Sequence, residues 1–163
     1  MIKKLFMSNA IDYQKLMHSA MCTVVKNALT VIAHSEHSTN VHIAISFLTN
    51  YKGVTLPDHI KENYPQEITV ILQHQFRSLQ VFDNSISVIL SFRGQEETVV
   101  IPFHSIIKYI DVYQGFVLDL EQYMSNNIEE ADNYDYDTDD KNEESDQQNN
   151  QDNIIFIDTF LKK

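Results

Sequence analysis

The apolar residues change period twice along this chain, and each change limits what it can fold into. From Asn9 to Ala33 they recur every three or four positions, as Tyr13, Leu16 and Met17, Ala20 and Met21, Val24 and Val25, Ala28, and Val31 and Ile32. That repeat predicts an amphipathic helix of about six turns. Ser8 or Asn9 is the expected N-cap, with Asp12 in the first turn, where a carboxylate suits the helix dipole. From Val41 the period falls to two: Val41, Ile43, Ile45 and Phe47 share one face, and His42, Ala44, Ser46 and Leu48 the other. A strand therefore follows the helix.

Further alternating runs follow at Ile68 to Phe76 and Ile86 to Phe92, with a short strand at Leu79 to Phe82 and an Asp83-Asn84 turn between them. Asp58 to Tyr64 reads as one helical turn before Pro65, Arg93 to Glu97 as a turn and Thr98 to Ile101 as a strand. Pro102 then stands where a helix would start, with Phe103, Ile106, Ile107 and Ile110 at helical spacing, and Phe116 to Leu120 closes the body as a strand. The order predicts an α+β fold with an antiparallel, partly closed sandwich or barrel over residues 1 to 124. About 130 residues suit one domain with one core.

After Met124 neither period survives. The formal charge of the whole chain is −11, yet residues 129 to 152 hold eleven acids against one base, Lys141, while residues 1 to 128 hold eleven acids and nine bases. The body is thus nearly neutral and the acidity belongs to one segment. Such a segment cannot bury enough apolar surface to offset chain entropy, so residues 125 to 153 are expected to be a disordered linker spanning roughly 30 Å. It ends in a dense apolar cluster, Ile154-Ile155-Phe156-Ile157-Asp158-Thr159-Phe160-Leu161-Lys162-Lys163. Two readings of residues 154 to 163 stand side by side: an edge strand returning to the body, or a short docking motif for a partner.

Other chemistry finds little support. A body with so few clustered bases lacks the positive stripe that phosphate neutralisation needs, so nucleic acid is not expected as a partner. No apolar run approaches the roughly 18 residues of a membrane span, and Met1 to Ala10 lacks a signal-type apolar stretch, so a cytoplasmic location without membrane contact is expected. The single cysteine, Cys22, falls inside the helical pattern and reads as a buried, inert thiol. Among seven histidines the closest pair is His34-x-x-His37, a weak signal, and no metal site or cofactor is expected. Glu96-Glu97 reads as solvated in a turn, three glycines give no phosphate loop, and the acidic run lacks the spacing of a Ca²⁺ loop.

The motifs together resemble the SspB (stringent starvation protein B) family, in its alpha-proteobacterial form. They are Y-x-x-L-M-x-x-A-M-x-x-V-V-x-x-A-L from Tyr13 to Leu29, H-I-A-I-S-F-L-T from His42 to Thr49, G-V-T-L-P from Gly53 to Pro57, and Tyr64-Pro65. L-Q-H-Q-F from Leu72 to Phe76, S-V-I-L-S-F from Ser87 to Phe92, V-I-P-F from Val100 to Phe103 and the terminal I-D-x-F-x-K-K from Ile157 to Lys163 complete the set. The resemblance implies an Sm-like SspB fold and no enzyme activity, in an adaptor for the ClpX unfoldase and its ClpP protease. The body would dimerise through the N-terminal helix, using Tyr13, Met17, Ala20, Val24 and Ala28, and would bind the peptide tag that tmRNA adds to stalled chains. Tag contacts fall to Gln73, His74, Gln75, Val88 and Leu90; Ile154, Ile155, Ile157, Phe160, Lys162 and Lys163 would dock on the ClpX N-terminal domain. Arg77 stands where the resemblance leads one to expect an aromatic residue. The alternative from another class is a small-ligand-binding β-barrel, or an enzyme built on one, with an incidental acidic tail.

Overall fold

A computed structural model of the chain describes residues 11–35, 40–73, 77–124 and 154–155. The first helix, α1, runs Tyr13–His34. Its N-cap is Asp12, whose carboxylate accepts from the Lys15 amide at 2.9 Å, so the helix starts later than the apolar repeat suggested. An aspartate there satisfies one of the free amides of the first turn, which is why the helix stops growing backwards at this point. Ser35 closes the other end, its hydroxyl donating to the Ile32 carbonyl at 2.8 Å. By length and composition alone α1 would also pass as a membrane span, contrary to the expectation from sequence. In the fold it instead buries His18, Cys22, Val25 and Leu29 against the body, as a helix packed on a domain does.

The strands form two sheets that do not close on each other. The larger contains β1 (His42–Leu48), β2 (Glu67–Gln73), β6 (Ile106–Asp111), β7 (Phe116–Asp119) and the two-residue β8 (Ile154–Ile155), in the order β7-β6-β1-β2-β8. The smaller contains β3 (Arg77–Val81), β4 (Ser85–Phe92) and β5 (Gln95–Pro102) in that order. All named pairings are antiparallel except β2 with β8. A helix α2 (Asp58–Asn63) fills the β1–β2 connection and a short α3 (Glu121–Met124) follows β7. The α+β expectation stands; the barrel is instead an open sandwich.

One core lies between the sheets. Ile43, Ile45 and Phe47 from β1, Ile68, Val70 and Leu72 from β2, and Ile86, Val88, Leu90 and Phe92 from β4 meet Val99 and Ile101 from β5 in a single buried cluster. Strict alternation puts these residues inward because successive strand side chains point to opposite faces. Cys22, Val25 and Leu29 of α1 belong to the same cluster, so the helix is part of the domain.

Two segments differ from the sequence reading. Phe103–Ser105 is a single 3₁₀ turn and Ile106–Asp111 is strand β6, where a helix was expected over Phe103 to Ile110. The change of backbone between Phe103 and Ile106 is what mimics helical spacing, and the β-branched Ile-Ile-x-x-Ile run prefers the pleated state. The Arg93 to Glu97 turn shrinks to Arg93-Gly94, with φ of 51° and 83°, and Gln95 pairs Phe92 across it. Two successive positive φ angles make the primed turn that matches strand twist, and the glycine adopts its share without a Cβ penalty.

Candidate functional site

Burying one face of α1 leaves the other uncovered. Tyr13 is 68 % exposed, Met17 44 % and Val24 46 %, with Ala20 also exposed between them. Steps of four, three and four residues place these four on one stripe. Leu16 and Val31 widen it, whereas Ala28 is half-buried and packs against the core, at the margin of the stripe. A contiguous apolar stripe of this kind marks an interaction surface more often than isolated exposed residues do.

The expected tag contacts do not share one surface. Gln73 ends β2, half-buried opposite His42, and His74 and Gln75 lie outside the described residues. Val88 and Leu90 are 0 % and 3 % exposed in the core, so they are not the open groove walls that the sequence suggests. The pleat turns Ser87, Ile89 and Ser91 outward in their place, all half-buried. Arg77 starts β3 opposite Ile89 and forms a 3.4 Å ion pair with Glu96. Glu96 and Glu97 thus belong to β5 and not to a turn.

Among the described strands, β3 is one of the two outer strands of the smaller sheet, paired only with β4, while β5 on the other side also bridges Thr55 through Val100. It carries exposed Arg77, Ser78 and Gln80, and Ser78 at φ 53° breaks its register against β4. An unpaired strand edge is a template for an added strand. Sequence reasoning missed Ile89 and the β3 edge; the all-apolar run Ile86, Val88, Leu90, Phe92 was the available signal, since a face that apolar must be the inner one.

Two residues of the terminal cluster are among those described. Ile154 and Ile155 pair in parallel with Thr69 and Val70 of β2. This is the edge-strand reading, for that pair; Ile157, Phe160, Lys162 and Lys163 lie outside the described residues, as does the acidic segment. A further apolar patch unforeseen from sequence, Val112, Tyr113, Phe116 and Val117, sits at the β6–β7 hairpin.

Titratable groups gather at one place, between α1 and the 3₁₀ turn. His18 and His104 approach at 3.3 Å through their Nδ1 atoms, with ring centroids 5.1 Å apart. Burial holds both imidazoles below their ordinary value, and the neighbouring His104 adds to the effect at His18. Burial also pushes the Cys22 thiol up to about 11, with a smaller opposing effect from a hydrogen bond of its own backbone; the thiol itself donates to the Phe103 carbonyl at 3.5 Å. A protonated thiol is a poor nucleophile. Ligand atoms of His18, Cys22 and His104 lie within 4.8 Å of one another, a geometry able to hold a metal ion. His34 turns back to the Thr30 carbonyl at 2.7 Å, and His37 lies outside the described residues.

An exposed apolar stripe on α1 and the outer strand β3 flank the single core of an α+β domain. The chain belongs to the SspB family, whose profile, described as Stringent starvation protein B, matches residues 15–154. That family is of adaptor type. A search of curated proteins gives no match.

Proposed function

We propose that the protein is a proteolysis adaptor, which holds tmRNA-encoded degradation tags on its folded body and tethers them to the ClpX N-terminal domain for degradation by ClpXP. The observation that carries this reading is the family match itself, which runs through the body and reaches Ile154 at the start of the terminal cluster. In this reading α1 joins two copies through Tyr13, Met17, Ala20 and Val24, and the β3 edge receives an extended peptide. Backbone hydrogen bonds along a strand edge give affinity, and side-chain pockets give selectivity. Residues 125 to 153 are the tether, in the cytosol, and residues 154 to 163 the docking motif. Linking two weak binding events raises the effective concentration of the tag near the unfoldase to about the mM range when the tether spans the sites. No bond is made or broken by the adaptor.

The pairing of Ile154 and Ile155 with β2 is compatible with docking, because two residues of parallel ladder are a small contact to release. Fluorescence anisotropy of a labelled tag peptide tests the binding half. Saturable binding with one peptide per protomer is expected, and a flat titration would overturn the assignment.

A further inference from the structure

We propose that His18, Cys22 and His104 form a binding site for a borderline divalent cation of the Zn²⁺ class. The three residues come from two elements that the fold holds in fixed relation. His18 and Cys22 stand four residues apart on α1, one turn above each other on the buried face. His104 lies 86 residues from His18 in the chain, in the middle of the 3₁₀ turn Phe103–Ser105. That turn is framed by Pro102 before it and by the Ser105 hydroxyl, which donates to the Pro102 carbonyl at 2.6 Å.

The donor set fits such an ion. Two imidazole nitrogens and one thiolate are the ligand types of tetrahedral zinc sites, and three protein ligands leave a fourth position for water or another group. With Zn–N bonds of about 2.0–2.1 Å, the N···N edge of the tetrahedron is about 3.3 Å. The His18 and His104 Nδ1 atoms are 3.3 Å apart. All three ligand atoms lie within 4.8 Å, so the widest gap must close by only about 1 Å on binding. His104 is exposed and opens the site to solvent on one side, while Cys22 and His18 are 6 % and 3 % exposed.

A second observation marks the cluster. Among the described residues the buried His18 Nε2 atom has no hydrogen-bond partner, although buried polar atoms are nearly always paired. The His18 ring is thus held on the protein side by its Nδ1 contact with His104, and an ion taking the two Nδ1 atoms would replace that contact. Binding would displace the Cys22 proton to solvent as the sulfur–metal bond forms, and would release the bond to the Phe103 carbonyl. The ion would then join α1 to the sheet body and fix the orientation of the helix stripe. Sequence spacing hid the set because His104 is remote from His18 and Cys22, and the closest histidine pair, His34-x-x-His37, lies elsewhere.

The test uses the full chain, first with Co²⁺ as a spectroscopic probe and then with Zn²⁺. One Co²⁺ per chain with a thiolate-to-cobalt charge-transfer band in the near ultraviolet is expected, and Cys22→Ser should abolish the band. His104→Ala, at an exposed position outside the core, should weaken Zn²⁺ binding by at least about tenfold and remove the rise in Tm that Zn²⁺ gives the unmodified chain. A double His34→Ala, His37→Ala chain should bind as before. The proposal is overturned if no charge-transfer band forms, or if His104→Ala binds Zn²⁺ and gains thermal stability as the unmodified chain does.

Discussion

Tyr109 and Gly94 show what single residues contribute. The Tyr109 side chain is 2 % exposed, and burial, with the Asp111 charge as a smaller cause, pushes its phenol up to about 12. Because the folded value is raised above the ordinary 10.0, its contribution is intact below pH 10 and is lost as pH rises through about 12. Denaturation followed between about pH 9 and 12 should therefore show stability falling in that window, with Tyr109→Phe flattening the fall; an equal slope in both chains would refute the assignment. At Gly94, with φ of 83°, a Cβ would meet open space, but the backbone is not one that L side chains favour. Gly94→Val should cost about 1–3 kcal/mol in urea denaturation, through conformation and not through a clash. Which residues face inward is legible at this scale from alternation alone. What they do is not: Val88 and Leu90 read as groove walls although the same alternation buries them, because period two separates faces without saying which one a ligand meets.

At the scale of elements, the helix and most strands can be read because period and length agree for them. The Ile106–Asp111 strand cannot, since a 3₁₀ turn running into a strand reproduces helical spacing over a short stretch. Nor does local sequence specify that Ile154 and Ile155 lie beside β2, a pairing between residues far apart in the chain. The exposed stripe of α1 is open to substitution without touching the core. Val24→Glu puts a charge at its middle while leaving Cys22, Val25 and Leu29 in place, so the unfolding free energy of the protomer, measured at a concentration too low for dimerisation, should change by about 0.5 kcal/mol or less. Light scattering should show a dimer for the unmodified chain and a monomer for the variant. A variant that stays dimeric would remove α1 as the joining surface.

Across the whole molecule, charge and core divide the chain in the same place. The buried cluster draws on residues from Cys22 to Leu120, and the acids of residues 129 to 152 lie beyond it. On the adaptor proposal the two would have separate work: the nearly neutral body to hold a peptide, the acidic segment to keep the terminal cluster within reach of a partner. The separation predicts that a chain ending at Met124 keeps tag binding and loses the partner. The most direct measurement is the rate at which ClpXP degrades a tagged substrate at a concentration well below saturation. The full chain should accelerate it, and the chain ending at Met124 should slow it by sequestering the tag. Equal acceleration by both chains, or no effect of the full chain, would contradict the account.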